Sequence, residues 1–460
     1  MGPMDRTSSR DLLVTLRRPD GPLHAQLEAQ LRAAVRSGRL TPGERLPSSR
    51  ALAAELGVSR GVVVEAYGQL AAEGYLAVRR GAAPRVAPGA AVASGRPAER
   101  APAAPRYDLR PGTPDLSLFP RAAWAAAQRR ALHEVADADL GYPPPGGHPR
   151  LRAALAAYLG RVRGVQAAPE RIVVCGGVAE AVALVGRVLR DGGARRVAVE
   201  DPSHPGTREL MAHSGLEIVP VPVDGGGVDV GAIAAAGVDA ALVTPAHQSP
   251  TGVVLDPGRR AALVAWARAA DALVIEDDYD AEYRYDRHPV GALQGLAPDH
   301  VVHVHSVSKT LAPALRLGWA ALPARLVGAV VEEKRLSDLG GPVLEQLTLA
   351  AFLERGELDR HLRRTRPAYR RRRDALLTAL AGLEVEGVAA GLHLLARLPR
   401  GRREHDVVAA AAARGVAVEP LGPQVAGPRR SPALLLGYTR LGEAAIAEAG
   451  RRLRAALAGR

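Results

Sequence analysis

The sequence predicts a multidomain protein: a small, mainly α-helical helix-turn-helix module with a wing, followed by a larger α/β module with a mostly parallel sheet and a smaller α/β subdomain. Three observations support this prediction. Apolar residues recur at helical spacing between residues 22 and 73, interrupted by short turns. A stretch rich in proline and alanine follows at residues 88–106. Beyond it, short β-branched runs alternate with helical patterns, which is typical of a parallel sheet covered by helices.

Length and composition set the first limits. A chain of 460 residues, 47% of them hydrophobic, can bury more than one core. No run approaches the roughly twenty apolar residues of a membrane helix, and the first residues lack the apolar stretch typical of a signal peptide, so no membrane partner is expected. The single cysteine excludes an internal disulfide, which fits a cytoplasmic protein. The net charge of +13 suggests a polyanionic partner if that charge is concentrated on one surface.

The first helix is predicted to end near Gly38. It is predicted from apolar residues at every fourth position: Leu23, Leu27, Leu31 and Val35. A turn follows, and Ser48 or Ser49 is placed to cap a helix over Arg50–Leu56. After a glycine, Ser59 is placed to cap the next helix, which is the second helix of the helix-turn-helix and runs to about residue 73. Residues 74–87 are predicted to form a short hairpin, the wing.

The sequence motifs of this module are specific. It contains Pro-Gly-x-x-Leu-Pro-Ser-Ser-Arg, then Leu-Gly-Val-Ser-Arg and Leu-x-x-Glu-Gly-Tyr-Leu, and over residues 20–87 it resembles the GntR-type winged helix. The resemblance implies a double-stranded DNA operator as partner, read in the major groove by the start of the second helix. It implies the following DNA contacts: Arg50, Ser59, Arg60, Gly61, Arg80 and Gly81.

Residues 88–106 are predicted to be a linker, and residues 107–460 a second module with a large part at about 150–325 and a small part at about 326–460. The strands of its sheet are predicted from six β-branched runs: Arg171–Cys175, Arg196–Glu200, Leu216–Val221, Ala240–Thr244, Ala272–Glu276 and Val301–Val304. Helical patterns separate them, so the connections are expected to be crossovers between parallel strands.

The use of lysine is unusual. Lys309 and Lys334 are the only lysines, so 61 − 2 = 59 of the basic residues are arginine. A lysine amine can condense with an aldehyde, whereas a guanidinium group cannot. Lys309 follows a predicted strand and a Ser-x-Ser sequence, which invites a chemical explanation. Lys334 lies in Val-Val-Glu-Glu-Lys-Arg and is predicted to occupy an ordinary solvated helix face.

About thirty residues before Lys309, the apolar run from Ala272 ends in acids. Side chains alternate along a strand, so Asp277 and Tyr279 are expected to point the same way. A carboxylate keeps a pyridine nitrogen protonated, and a phenol can hydrogen-bond the 3-oxygen of the same ring. Together with the Lys309 amine, this is the set of groups expected around pyridoxal phosphate (PLP).

Here the sequence resembles a fold-type I aminotransferase. The resemblance implies a covalent link from Lys309 to PLP and the following phosphate contacts: Ser306, Ser308, Arg316 and the backbone of Gly177, Val178 and Ala179. It implies that Ser249 replaces an asparagine at the 3-oxygen and that His204 lies near the ring, unless His204 is an ordinary surface histidine. Tyr142 is expected to reach the phosphate of a neighbouring subunit, which implies a homodimer. No metal site is predicted.

One departure from that family bears on the ligand. Relatives that bind an amino-acid carboxylate have an arginine just ahead of the segment that corresponds to Leu434–Tyr438. This chain has Pro432 and Ala433 there, with Arg429 and Arg430 nearby. The departure argues against an amino-acid ligand.

Joined, the two modules resemble the MocR/GabR family of PLP-dependent transcription regulators. The first hypothesis is therefore a nucleoid-associated regulator that senses PLP or an amine or amino-acid ligand and performs no multiple-turnover catalysis. The alternative is an active PLP-dependent aminotransferase with an appended DNA-binding head. A third hypothesis, a structural dimer without PLP, is disfavoured by the complete set of Lys309, Asp277 and Tyr279.

Overall fold

A computed structural model describes residues 14–79, 82–89, 105–285, 290–427 and 430–458. The chain divides into two compact units, residues 1–103 and 104–460, here called the first and the second unit. Each has its own hydrophobic core.

The first unit is mainly helical, with a two-stranded antiparallel hairpin. Its elements are α1 Leu23–Arg36, α2 Ser49–Leu56, α3 Arg60–Ala72, β1 Leu76–Ala77 and β2 Arg85–Val86. The apolar residues that recur along the predicted helices pack together beneath the hairpin, among them Leu27, Leu31, Leu52, Val63 and Leu70. The predicted order of helix, helix-turn-helix and wing is confirmed.

The caps of the two turn helices differ. The Ser48 hydroxyl accepts a hydrogen bond from the Ala51 amide at 3.2 Å, as an N-cap residue should. The helix ends at Gly57, whose φ of 65° lies in the left-handed region that glycine adopts without strain. Ser59 occupies the N-cap position of α3, but no amide of the described helix donates to its hydroxyl. The prediction that the Ser59 side chain caps α3 is therefore wrong, and this hydroxyl is exposed.

The second unit is built on an eight-stranded sheet. Its strands are β4 Ile172–Cys175, β5 Arg196–Asp201, β6 Glu217–Asp224, β7 Gly227–Val228, β8 Ala240–Val243, β9 Leu273–Asp277, β10 Val301–Ser306 and β11 Gly318–Ala321. They lie in the order β4-β11-β10-β9-β8-β5-β6-β7, and four of the seven strand pairings are parallel. Every residue of β4, β8 and β10 is buried, because helices cover both faces of the sheet.

The helices that accompany this sheet are α4 Arg121–Glu134, α5 Pro149–Arg163, α6 Val178–Asp191, α7 Pro205–His213, α8 Val230–Ala235, α9 Pro257–Ala269, α10 Ala324–Asp338 and α11 Val343–Glu354. The smaller part of the unit adds α12 Glu357–Ala379, α13 Glu404–Ala413 and α14 Glu443–Ala458. Its sheet has the order β12-β13-β16-β15, with β12 Val385–Glu386, β13 His393–Arg397, β15 Glu419–Pro420 and β16 Ala433–Gly437. A separate parallel pair joins β3 Tyr107–Asp108 to β14 Val416–Ala417.

All six strands predicted from β-branched runs are present, and their ends differ from the predictions by at most a few residues. Strand β11, which lies second in the order between β4 and β10, was not predicted. It is the short run Gly-Trp-Ala-Ala, which lacks β-branched residues. No helix among the described residues is long and apolar enough to cross a membrane.

Candidate functional site: a cavity around Lys309

A cavity of about 950 Å³ lies in the second unit at the carboxyl ends of β5, β8, β9 and β10. This edge is where ligands bind in open α/β sheets. Ten of the twelve residues predicted to form the cofactor site line the cavity: Val178, Ala179, His204, Ser249, Asp277, Tyr279, Ser306, Ser308, Lys309 and Arg316. The other two, Gly177 and Tyr142, do not line it.

Lys309 follows the end of β10 by three residues and reaches across the cavity. Its Nζ donates a hydrogen bond to the carbonyl oxygen of Gly112 at 2.5 Å. Burial lowers the pKa of Lys309, and the negative charges of Asp277 and Asp280 partly oppose that effect. A lowered pKa increases the share of neutral amine, which is the form that attacks a carbonyl.

Asp277 is the last residue of β9, and it is half-buried in the wall of the cavity. Burial, together with the negative charge of Asp278, raises the pKa of Asp277 to about 7. Asp278 keeps its charge because Arg163 binds it through two nitrogens, at 2.7 and 2.9 Å. The Oδ1 atom of Asp277 is buried and has no hydrogen-bond partner among the described residues. A hydrogen-bond donor on a ligand in the cavity that Asp277 lines would satisfy this oxygen.

The raised pKa of Asp277 predicts a pH dependence of stability. The folded protein holds this proton up to about pH 7, whereas an unfolded aspartate releases it near pH 4. The free energy of unfolding of the ligand-free protein should therefore fall as pH rises from about 4 to 7. Asp277→Asn cannot ionise, so this variant should lose less stability, by of order a few kcal/mol, between pH 5 and pH 8. Urea denaturation at both pH values checks this, and an equal loss in both proteins would contradict it.

Tyr279 lies just beyond β9, and its hydroxyl is held by a buried pair behind it. His247 Nδ1 lies 3.0 Å from the Tyr279 hydroxyl and 3.0 Å from Asp280 Oδ2. His247 Nδ1 is therefore shared between the Tyr279 hydroxyl and the Asp280 carboxylate, and the Tyr279 hydroxyl also forms a hydrogen bond with the Ser249 side chain. Burial raises the pKa of Tyr279 well above its ordinary value, which keeps it a donor.

A glycine turn between β4 and α6 forms one wall. Gly177 has a φ of 124°, and a Cβ atom there would lie 3.1 Å from Arg316 Nη2. The guanidinium group therefore packs directly on the turn, next to the first amides of α6. Amides at a helix start have no partner within the helix and bind anions. Ser306 and Ser308 line the same cavity, so its wall combines hydroxyl, amide and guanidinium donors.

Of the remaining predicted residues, His204 and Ser249 line the cavity and Tyr142 does not. His204 is exposed on one side, and partial burial of its ring and the nearby charge of Lys309 lower its pKa. The backbone amide of Ser249 donates to Thr244 Oγ1 at 3.1 Å. Tyr142 lies elsewhere and is 89% exposed. Its predicted contact with a neighbouring subunit therefore stays a prediction.

Arginine is scarce in the cavity. Of the residues that the structure describes, Arg316 is the only arginine that lines it. Arg430 donates instead to the backbone carbonyls of Asp201 at 2.6 Å and Val223 at 3.0 Å. Leu435 is the residue of β16 that lines the cavity, and it belongs with Ala433 to a small buried apolar cluster. An apolar side chain therefore occupies this wall.

Lys334 differs from its prediction. It was expected on a solvated helix face, but it is 1% exposed on α10. Its ammonium group is bound by Glu180 at 2.9 Å and Asp338 at 2.7 Å. The reason is tertiary: α10 packs on α6, and Glu180, one of the two acids that bind Lys334, comes from α6.

The first unit carries the predicted DNA contacts. Arg50, Ser59, Arg60 and Gly61 are all exposed, and they lie on α2 and at the start of α3. Arg60 Nε lies 3.4 Å from the Ser49 hydroxyl, which links the two helices at the turn. The predicted wing contacts, Arg80 and Gly81, lie outside the described residues.

Comparison with known proteins agrees with this arrangement. Residues 108–430 match the family "Aminotransferase class I and II", and residues 23–86 match "Bacterial regulatory proteins, gntR family". The chain is 37% identical to the HTH-type pyridoxine biosynthesis transcriptional regulator PdxR of Corynebacterium glutamicum, over 90% of this chain and 91% of that protein. It belongs to the family of GntR-type transcription regulators with an aminotransferase domain. The resemblance predicted from the sequence is thereby confirmed.

Other members and solved structures show how far the family extends. The chain is 33% identical to the probable rhizopine catabolism regulatory protein MocR of Rhizobium meliloti, over 97% of this chain and 96% of that protein. The solved structure of LysN, α-aminoadipate aminotransferase of Thermus thermophilus, superposes with a TM-score of 0.70 at 29% identity, covering 76% of this chain and 92% of that one. That structure is complexed with N-(5'-phosphopyridoxyl)-L-leucine.

Within this family fold, sequence reasoning missed three groups that shape the cavity. His247 and Asp280 stand behind Tyr279. Glu200 lines the cavity and accepts hydrogen bonds from the Thr244 hydroxyl at 2.5 Å and Gln248 at 3.1 Å. Burial raises the pKa of Glu200 to about 7. The only signal in the sequence is that each lies at or just beyond the end of a predicted strand.

Proposed function

We propose that this regulator binds PLP covalently through Lys309 and senses PLP itself or an amine that enters the same cavity. The observation that carries the proposal is the buried Oδ1 of Asp277, which lacks a hydrogen-bond partner among the residues that the structure describes, on a residue that lines the same cavity as Lys309. A pyridine nitrogen that carries a proton would satisfy that oxygen. The glycine turn with Arg316 offers an anion site in the same cavity, as a phosphate group requires.

Each residue has a defined task in this proposal. PLP, when bound, supplies an aldehyde for the lysine amine and an electron-accepting ring. Asp277 holds the proton on the ring nitrogen, and Tyr279 donates a hydrogen bond to the ring 3-oxygen, with Ser249 beside it. The phosphate is held by Arg316, Ser306, Ser308 and the amides of Gly177, Val178 and Ala179. His204 lies close enough to Lys309 to feel its charge and would border the ring.

Sensing requires that the ligand bind two conformations of the protein with different affinity. The relative PdxR is named for pyridoxine biosynthesis, which makes PLP the first effector to test. Genome-wide mapping of binding sites with and without added PLP tests this directly. Sites upstream of vitamin B6 genes that change occupancy with PLP would support PLP as effector, and sites insensitive to PLP would count against it.

DNA reading is proposed to centre on the start of α3. Arg60→Ala should weaken binding to the specific operator by about 1–3 kcal/mol if the guanidinium group reads a base. Affinity for unrelated DNA should then change little, and preference should relax at one operator position. Binding titrations at several salt concentrations check this. An equal loss for all sequences with a smaller salt dependence would make Arg60 a phosphate contact instead.

A homodimer is proposed for the same chain. Tyr142 and Leu140 are 89% and 60% exposed, and together they place a tyrosine and an apolar side chain in solvent. A second copy that covers this segment would bring Tyr142 toward its cavity, as the aminotransferase resemblance implies. Light scattering of the purified protein tests this proposal, and a monomeric mass at micromolar concentration would contradict it.

The second candidate function is an active aminotransferase. It is favoured by the joint presence of Lys309, Asp277 and Tyr279, and by 30% identity to the 2-aminoadipate transaminase of Thermus thermophilus over 76% of this chain. A transaminase must also hold a substrate carboxylate, for which a guanidinium group is best suited. Arg430 is bound to backbone carbonyls and Leu435 faces the cavity, so we favour the sensor.

A further inference from the structure

Lys334 is a buried cation directly behind the glycine turn. Its Nζ lies 2.9 Å from Glu180 Oε1 and 2.7 Å from Asp338 Oδ2. Burial lowers the pKa of Lys334, but the hydrogen bonds to Asp338 and Glu180 raise it above its ordinary value. The amine therefore stays protonated, and it is unsuited to attack a carbonyl.

Glu180 connects this cation to the turn. It lies in the first turn of α6, and its other oxygen, Oε2, accepts a hydrogen bond from the Gly176 amide. On the far side of the two glycines, Arg316 packs against Gly177. Gly318 of β11 lies so close behind the turn that a Cβ atom there would come within 2.7 Å of Gly177 Cα. The turn is thus fixed by backbone packing and by the Glu180 carboxylate.

The carboxylate that fixes the turn also creates an electrostatic problem. An unneutralised Glu180 would repel an anion held by the neighbouring amides of Val178 and Ala179. Lys334 weakens that repulsion at its source, because its ammonium group bonds the Glu180 carboxylate as well as that of Asp338. A compact ammonium group with three donors suits this enclosed position, where a guanidinium fork is larger and planar.

We propose that Lys334 is a positioning residue for the phosphate group of the cofactor: it neutralises Glu180, so that the carboxylate can fix the glycine turn without repelling the phosphate. The inference rests on the proposed function, because it concerns the phosphate of PLP. It gives the second of the two lysines a purpose distinct from the first. Lys309 bonds the ligand, and Lys334 tunes the anion site through Glu180.

The test compares two ligands that differ only in the phosphate, PLP and pyridoxal. Absorbance titrations of the full-length protein give both dissociation constants. Lys334→Met should weaken PLP binding at least about tenfold, the effect expected of one uncompensated charge near the site, and change pyridoxal binding less than about threefold. Adding Glu180→Gln to Lys334→Met should restore most of the PLP affinity, because the amide oxygen still accepts from Gly176 but carries no charge.

Equal weakening of PLP and pyridoxal would show a general structural role and overturn the proposal, as would no change for either ligand. If Lys334→Met does not fold, the single variant Glu180→Gln decides: PLP affinity should be kept or improved, and a loss specific to PLP would overturn the proposal. Titration of the wild-type protein distinguishes a failure of the proposed function from a failure of the proposed role of Lys334. A wild type that binds neither ligand refutes the proposed function itself, whereas a wild type that binds both leaves Lys334 to be judged by its variants.

Discussion

Lys309→Ala is expected to abolish the covalent, borohydride-reducible link between the protein and PLP. The purified wild-type protein should be yellow, because the bond between a lysine amine and PLP absorbs near the visible edge. The variant should lose this colour while it keeps its fold, because the Lys309 side chain makes a single hydrogen bond to a backbone carbonyl among the contacts described here. Free PLP could still enter the cavity, but only noncovalently.

Peptide mapping after borohydride reduction provides the measurement. The wild-type adduct should map to Lys309 and be absent from the variant. The chain contains its own internal control, since Lys334 is the only other lysine. An adduct on Lys334 would contradict the assignment, because that amine is buried in ion pairs to Glu180 and Asp338.

The wild-type protein is expected to show slow spectral changes with some amines but no multiple-turnover transamination. Incubation with a panel of amino acids and keto acids, followed by product analysis, checks this. Turnover faster than roughly one per second, within the ordinary enzyme range, would make the enzyme hypothesis the better one. The physical reason is the cavity wall at Leu435, which offers no charge to a substrate carboxylate.

If the uncharged wall at Leu435 limits the reaction, an added positive charge there should make the protein react faster with α-amino acids. Leu435→Arg places a guanidinium group in the cavity, where it can bind a carboxylate through two hydrogen bonds. Spectral changes with α-amino acids should become at least about tenfold faster, and those with amines that lack a carboxylate should not. Leu435→Met is the matched control, because it keeps an apolar side chain of similar volume. Equal acceleration of both ligand classes would refute this account of selectivity.

The sequence predicted the fold well because its signals are local. Apolar residues at every fourth position indicated α1, and β-branched runs indicated six strands of the large sheet. These runs alternate with helical patterns along the chain, which indicated strands joined by helices. The short strand β11 was missed because Gly-Trp-Ala-Ala carries no such pattern. The Ser59 cap was also predicted wrongly, since a suitable residue at the N-cap position does not ensure that its hydroxyl turns toward the helix.

Some residues of the candidate site could likewise be predicted from the sequence, and others could not. Lys309, Asp277 and Tyr279 could be predicted because each lies at or just beyond the end of a recognisable strand and carries a group that PLP chemistry requires. The burial of Lys334 could not, because its neighbours in sequence are charged and its partner Glu180 lies 154 positions away. The contact of His247 with Tyr279 likewise joins two loops 32 residues apart. Such contacts depend on how the loops pack, which residue patterns along one chain do not specify.

We propose that ligand binding at Lys309 controls binding of DNA by the first unit. The most direct test of this claim is the dissociation constant for an operator fragment, measured by fluorescence anisotropy with and without PLP, for the wild-type protein and for Lys309→Ala. We predict that PLP changes the wild-type constant by at least about fivefold, the lower end of ordinary allosteric coupling, and leaves that of Lys309→Ala unchanged. A wild-type constant that does not respond to PLP, or an equal response in both proteins, would contradict the claim.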